Sequence, residues 1–192
     1  MNVEDKGVTG QVLLDRYATV GLQVATELVD ALVVLPDAPP AMALARILAF
    51  DPQSAAELEP QHVEGFTALA ADLHAVFAAC DSGDVDAAAT RLNALLEAAP
   101  AHPHLVKEGE RWQLHHHPLD ASLVPAWTAI CAEALARVIG DGHAARLHLC
   151  AATDCGRAYF DTTKNATRRF CSSTCQNRVK AAALRRRRAA DG

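Results

Sequence analysis

Residues 150–175 read CAATDCGRAYFDTTKNATRRFCSSTC, and they hold four of the six cysteines in a chain of 192 residues. The four form two close pairs, since fifteen residues separate Cys150 and Cys155 from Cys171 and Cys175. Zinc takes four thiolates at the corners of a tetrahedron, and two close pairs joined by a loop supply them with little chain strain. The spacing therefore predicts one structural Zn²⁺ bound by all four thiolates.

The residues around the two pairs predict how the ligands are held. Residues 156–161 and 167–170 have strand-like composition on either side of a turn, so we expect them to pair as a hairpin. Ser172 and Ser173 are good helix N-caps, which places Cys175 in the first turn of a helix that runs to the arginine-rich end. A knuckle, a hairpin and a helix that supplies the last ligand pair make a treble-clef zinc finger.

Four cysteines also indicate the kind of metal site. A catalytic zinc keeps one position open to water, whereas four thiolates close the coordination shell. A module over residues 146–192 is too small for a self-sufficient apolar core, so metal binding would supply folding free energy. Two less favoured interpretations are four thiols without a metal and a competing ligand role for His148, which we place in the strand or loop before Cys150.

The residues before the cysteine cluster predict a mainly helical domain. Alanine, the residue of best intrinsic helix propensity, accounts for 40 of 192 residues, and only 5% are aromatic. Apolar residues recur at steps of three or four in the segments 11–34, 41–50, 66–80, 85–96 and 123–139. Residues 104–117 instead alternate as a β-hairpin. We predict an α+β fold, mainly α, with a helical domain over residues 1–145 and the zinc finger over residues 146–192.

The formal net charge of −5 conceals two opposed parts. Residues 1–145 carry a net charge of −13 and residues 146–192 carry +8. Such asymmetry predicts an anionic partner for the basic part, most often nucleic acid or a membrane surface. Cations bind phosphates, and Gln176, Asn177 and Arg178 are chemically suited to reading base edges. The candidate nucleic-acid contacts are Lys164, Arg168, Arg169, Gln176, Asn177, Arg178, Lys180, Arg185, Arg186, Arg187 and Arg188.

These residues also resemble a known family. The resemblance to the CGNR zinc-finger domain lies in Arg146-Leu147-His148-Leu149-Cys150-Ala151, Cys155, Tyr159-Phe160-Asp161, Lys164-Asn165, Arg168-Arg169-Phe170-Cys171 and Cys175-Gln176-Asn177-Arg178-Val179-Lys180. Gln176 stands where the motif has a glycine. The upstream part resembles the ABATE domain, which precedes this finger in stress-induced transcription regulators of bacteria, through Leu92-Asn93, Leu96, the Trp112 strand and the helix over 123–139. The resemblance implies a zinc-binding treble clef that binds DNA and a first domain that senses a ligand.

We therefore expect a bacterial transcription regulator that binds double-stranded DNA through the finger and a small molecule through the helical domain. A homodimer would suit a palindromic operator. The alternative is an interaction module whose finger binds RNA or a protein, since a fold does not fix its partner. A plainer interpretation of the last four arginines is that they solvate a helix end and balance its dipole.

Other classes are not favoured by the sequence. No P-loop, dinucleotide-binding fingerprint or HExxH motif is present, so we expect no enzyme. The start is acidic and the apolar stretches are short and interrupted by charges, so we expect a cytoplasmic protein without a membrane partner. We assign Trp112 and Trp127 to the core of the helical domain rather than to a ligand pocket.

Overall fold

The computed structural model describes residues 16–100, 102–115 and 121–190. Within them the chain is mainly helical, as the sequence predicted, and it contains two small antiparallel sheets. The α-helices are α1 (Arg16–Val29), α2 (Pro40–Leu48), α3 (Pro52–Glu57), α4 (His62–Ser82), α5 (Val85–Ala98), α6 (Leu123–Gly140) and α7 (Ser173–Ala190). The strands are β1 (His104–Glu108), β2 (Arg111–His115), β3 (Leu147–Leu149) and β4 (Ala158–Phe160).

The first predicted helix changes character before its end. After α1 the chain continues as a π-helical turn, Asp30–Val34, which the Leu35 N–H closes by donating to the Asp30 carbonyl at 2.9 Å. Residues 11–15 of the predicted helix lie outside the described residues. The wider turn contains Asp30, whose carboxylate contacts the main chain of β4.

Local sequence signals account for the break between α4 and α5. Gly83 ends α4 with a φ of +83°, a left-handed conformation that glycine adopts without strain. Asp84 then caps α5, because its carboxylate accepts the Ala87 N–H at 3.1 Å. The two helices can therefore fold back against each other across a very short connection.

The core lies between α1, α4 and α6. It is built from fully buried side chains such as Leu28, Phe66, Phe77 and Leu135. Helix α1 lies close to α6 at Gly21, where an added Cβ atom would lie 2.6 Å from the Ile130 carbonyl oxygen. Small residues thus allow the helices to pack at short range, which the alanine content favours.

Helices α4 and α6 are both long and rich in apolar residues. By length and apolar content alone, His62–Ser82 and Leu123–Gly140 could cross a membrane. In this structure both are core helices, and each packs against the other and against α1 and α5.

The predicted hairpin over residues 104–117 forms over 104–115, and residues 116 and 117 lie outside the described residues. Its register pairs Leu105 with Leu114 and Lys107 with Trp112. The core assignment is wrong for Trp112, which is 65% exposed. It is confirmed for Trp127, which is 4% exposed and donates its indole N–H to the Ser54 hydroxyl at 2.9 Å.

The predicted hairpin between residues 156–161 and 167–170 is wrong in its pairing. Strand β4 pairs antiparallel with β3, with Leu147 opposite Phe160. Residues 167–170 form no strand; the Arg168 N–H instead donates to the side chain of Asp161 at 2.8 Å. The Asp161 carboxylate therefore binds the main chain of residues 167–170 at the place where we expected a paired strand.

The small β3–β4 sheet lies between two apolar clusters. Leu147 and Ala158 are buried in the main core, and Phe160 packs against it. Tyr159, which points to the other face, is buried with the cysteines. Strand alternation thus joins the helical body to the cysteine cluster through a single short sheet.

Candidate metal centre

Two structural segments supply the four cysteines. Cys150 follows β3, and the turn to Cys155 is closed by the Cys150 N–H donating to the Arg157 carbonyl at 2.8 Å. Cys171 and Cys175 flank the start of α7, where the Cys175 N–H donates to the Ser172 hydroxyl at 3.2 Å. The predicted position of Cys175 in the first helical turn is confirmed.

The turn before β4 needs an unusual backbone. Asp154 and Gly156, on either side of Cys155, have φ values of 61° and 69°. An added Cβ atom on Gly156 would lie 3.3 Å from the Val34 side chain, so glycine also allows a close approach to the helical body.

The sulfur positions fit a tetrahedral zinc ion. The Sγ atoms of Cys155, Cys171 and Cys175 are 3.6–3.7 Å apart, and all four Sγ atoms lie within 4.8 Å of one another. Zn–S bonds of 2.3 Å in a regular tetrahedron place neighbouring sulfurs about 3.8 Å apart. The donor set and its spacing therefore fit one structural Zn²⁺ with a closed shell.

The thiols of the cluster differ in pKa, and therefore in how readily each becomes the thiolate that binds a metal. Burial raises the pKa of Cys155 and of Cys171 above the usual value of a thiol. The Ser172 hydroxyl, assisted by the neighbouring thiols, lowers the pKa of Cys175 to about 7 although burial acts to raise it. Cys175 thus supplies a thiolate most readily, at a helix N-terminus whose dipole favours negative charge.

The other two cysteines take no part in this site. Cys80 and Cys131 are buried in α4 and α6. Burial alone raises the pKa of Cys80 to about 11 and that of Cys131 further still. They therefore behave as small apolar side chains of the helical core.

Donors surround the sulfur cluster. The Cys171 N–H donates to Cys150 Sγ at 3.3 Å, and Arg178 approaches Cys175 Sγ at 3.9 Å. The Arg178 guanidinium also donates to the Thr153 carbonyl at 3.0 Å, which ties α7 to the first cysteine turn. Four thiolates around Zn²⁺ leave a formal charge of −2, which these donors and the nearby arginines offset.

Arg168 holds the loop that enters the second cysteine pair. Its guanidinium donates to the Phe170 carbonyl at 2.7 Å and to the Cys171 carbonyl, and it lies 5.2 Å from the centre of the Tyr159 ring. The side chain is half-buried. This predicted nucleic-acid contact therefore has a positioning role within the metal module.

Sequence reasoning missed the role of Asp161, which is fully buried. Its carboxylate accepts the Thr163 N–H at 2.8 Å, the Thr163 hydroxyl at 2.6 Å and the Arg168 N–H at 2.8 Å. Burial raises the pKa of Asp161, but the hydrogen bonds from Thr163 and Arg168 and the charge of Arg146 outweigh it, so the pKa is lowered. A carboxylate just after a strand was the available sequence signal.

Two further carboxylates, also missed, attach this module to the helical body. Asp30 accepts the Ala158 N–H at 2.9 Å, and the His148 ring donates to Asp81 at 2.9 Å. His148 is therefore held by α4, and its ring lies 5.4 Å from that of Tyr159. The four cysteines remain the only metal-binding group found within the described residues.

The remaining predicted contacts lie on the outer side of the module. Lys164 and Arg169 are exposed on the loop, and they line a cleft of about 560 Å³ together with Arg168 and Gln176. Exposed side chains along α7 include Asn177, Arg178, Lys180, Arg185, Arg186, Arg187 and Arg188. Lys164, Arg168 and Arg169 therefore lie close to the start of α7. The four arginines at 185–188 lie further along the same helix.

A four-cysteine cluster held by a small sheet and a helix start defines a zinc-binding module. Residues 146–188 match the family model of the CGNR zinc finger. No curated protein matches the chain. The zinc-finger prediction is therefore confirmed for this segment, and the likeness of residues 1–145 to the ABATE domain stays a prediction.

Proposed function

We propose that the module is a treble-clef zinc finger that binds double-stranded DNA, and that the chain is a transcription regulator with a ligand-sensing helical domain. The observation that carries the proposal is the position of the basic surface. The β3–β4 sheet faces the helical body, whereas the cations of the loop and of α7 are exposed to solvent. The finger therefore has one side against the acidic body, and its basic side stays open to a polyanion.

The cleft beside α7 suits a phosphodiester backbone. Lys164 and Arg169 supply positive charge, and Ser172 and Ser173 mark the helix N-terminus at its wall. Both the cations and the helix dipole favour an anion there. Gln176 lines the same cleft, so its amide would lie next to a bound backbone.

The arginine run adds affinity that depends on salt. Arg178 and Arg185 are two helical turns apart, and Arg188 lies one turn beyond, so all three lie near one side of α7. No helix of the body packs extensively against α7 among the described residues. Four successive arginines are more positive charge than is needed to balance the helix dipole. Contacts with phosphates explain them better.

A cleft where the finger meets the body supports the sensing role. It measures about 480 Å³ and is lined by Glu27, Asp30, Asp37, Arg46 and Arg157. Its mixture of carboxylates and guanidinium groups suits a small zwitterion. Thermal-shift measurements with amino acids, simple amines and simple carboxylates test this role, with Arg46→Ala as the variant that should lose any response.

DNA binding is tested on the full zinc-loaded chain by fluorescence anisotropy with duplex DNA. We expect affinity to fall steeply with salt, and a double Lys164→Ala, Arg169→Ala variant to bind about tenfold or more weakly. The matched control removes two exposed cations of the body, Arg91 and Lys107, and should leave affinity unchanged. Equal binding by all variants, or a preference for RNA over duplex DNA, would contradict the proposal.

A further inference from the structure

The open end of the β1–β2 hairpin carries two histidines side by side. His104 is the first residue of β1 and His115 is the last of β2, and the strand register places them directly opposite each other. Their ring centres lie 5.8 Å apart, with the ring planes tilted by 37°. Both residues are half-buried, whereas Leu105 and Trp112 on the other face of the hairpin are exposed. We call His104 and His115 the histidine pair.

The distance between the two rings suits a metal ion bound by both. An imidazole nitrogen binds Zn²⁺ at about 2.0–2.1 Å, and each ring nitrogen lies about 1 Å from its ring centre. An ion shared by two rings therefore holds the ring centres about 5 Å apart at a tetrahedral angle and about 6 Å apart at a linear one. The observed 5.8 Å lies within that range. The histidine pair thus has the spacing of a two-histidine chelate.

A hydrogen bond selects the nitrogen of His104 that can bind an ion. Nδ1 lies 2.9 Å from the His102 carbonyl oxygen, and a carbonyl only accepts, so Nδ1 carries a proton. Nε2 of the neutral ring then holds the lone pair, and this atom is shielded from solvent. Histidines that bind metals almost always donate their other ring N–H to a carbonyl, a carboxylate or a water, which orients the ring. His104 already has this arrangement.

We infer that the histidine pair binds a divalent transition-metal ion, in addition to the zinc held by the cysteines. Imidazole nitrogens favour Ni²⁺, Cu²⁺ and Zn²⁺, whereas Mg²⁺ and Ca²⁺ prefer oxygen ligands. The four cysteines are the one group of three or more such donors among the described residues, and they form a closed shell. The histidine pair supplies two ligands and leaves the other positions to water. The inference holds whether or not the finger binds DNA.

An ion at this position would join the strands where they separate. The turn at residues 109 and 110 closes one end of the hairpin, and the histidine pair is the last pair of the ladder at the other end. A hairpin of two strands is marginally stable in water. An ion that binds only the paired strands stabilises them by mass action. The order of the hairpin should therefore depend on the metal.

Equilibrium dialysis of the full zinc-loaded chain against Ni²⁺, followed by elemental analysis, tests the site. We expect one nickel per chain beside one zinc. His104→Gln and His115→Gln should each weaken nickel binding about tenfold or more, because loss of a group that only orients a metal ligand already costs that much. The matched control is His116→Gln, which removes a neighbouring imidazole and should bind nickel as the natural chain does.

The His104 variant separates the histidine pair from the run of three histidines at residues 115–117. His104 lies on the other strand, so pairing of the strands is what brings it next to His115. Nickel binding that is unchanged in His104→Gln belongs to the run and overturns the inference. Nickel that binds only as zinc is lost belongs to the cysteines and overturns it as well. A chain that binds no nickel has the same consequence.

Hydrogen exchange of the unmutated chain gives a readout that does not depend on a variant folding. At a Ni²⁺ concentration ten times the dissociation constant, opening of the β1–β2 ladder should fall about tenfold. The amides of α4 are the internal control and should exchange at an unchanged rate. Nickel that binds without protecting the amides of either strand would contradict a site formed by both.

Discussion

The carboxylate of Asp30 accepts the main-chain N–H of Ala158 at 2.9 Å, across 128 residues of sequence. Asp30 belongs to the turn after the first helix, and Ala158 begins the strand that leaves the first cysteine pair. Arg157 adds its guanidinium 3.8 Å from the same carboxylate. The metal module and the helical body are therefore joined by a hydrogen bond as well as by a shared apolar sheet.

Zinc removal should weaken the whole chain and not the finger alone. Leu147 and Ala158 are buried in the main core, so loss of the metal disturbs the packing of α4 and α1. We expect a chelator to lower the melting temperature followed through Trp127 fluorescence. Elemental analysis should find one zinc per chain, lost in Cys171→Ser and kept in Cys80→Ala. An unchanged melting temperature of the helical body after complete zinc removal would contradict the coupling.

Asp161→Asn should destabilise the chain by about 1–3 kcal/mol, because a buried carboxylate with three donors is replaced by an amide that brings donors of its own. Urea unfolding measures the change. Asp141→Asn alters an exposed carboxylate and is the matched control, expected to stay within about 0.5 kcal/mol. The pKa of Asp161 is lowered in the folded chain. Its contribution to stability is therefore present above the unfolded pKa, and it is lost as the pH falls through the lower, folded pKa.

Asp30 should show the opposite dependence on pH. Burial raises its pKa to about 6 from the ordinary value of 3.8, although the Ala158 N–H and Arg157 lower it. Its contribution to stability is therefore full below pH 3.8 and is lost as the pH rises through 6. Asparagine can still accept the Ala158 N–H but does not ionise. The stability of Asp30→Asn relative to the natural chain should rise between pH 5 and pH 7, and a flat difference would contradict this assignment.

Arg168→Lys should weaken zinc binding although it conserves the charge. Lysine cannot donate to two carbonyls from a planar fork, and the loop before Cys171 would lose its anchor. Loss of a group that orients metal ligands costs about 10–100-fold in metal affinity. Competition with a zinc-binding dye measures it. Arg169→Lys, at the exposed neighbouring position, is the control and should bind zinc normally.

Gly21→Ala should destabilise the chain even though alanine is the better helix former. The new Cβ atom would lie 2.6 Å from the Ile130 carbonyl oxygen and 2.8 Å from the Ala134 Cβ atom, so α1 and α6 must separate. Overpacking of this kind costs about 1–3 kcal/mol. Gly140→Ala meets nothing within 4 Å and should be neutral or stabilise by up to about 1 kcal/mol. Thermal unfolding measures the difference. The melting temperature should fall for Gly21→Ala and should stay the same or rise for Gly140→Ala.

Much of the architecture follows from local signals in the sequence. Helical periodicity, the Gly83 break and the Ser172 cap before Cys175 each depend on residues within a few positions of one another. The position of Trp112 did not follow, because period-two alternation gives two faces and does not say which one another element covers. The strand predicted over 167–170 failed for a related reason, since Asp161 supplies an acceptor that competes with a strand partner.

The sequence by itself determined the zinc ligands, because two close cysteine pairs have few other uses, and it determined the opposite charges of the two parts. Only the tertiary structure decided how those parts meet. Strand β4 pairs with β3, and its alternating side chains enter two different apolar clusters. Contacts such as Asp30 with Ala158 join residues that no local pattern relates. Their formation depends on the packing of the whole chain, which local periodicity and residue spacing do not specify.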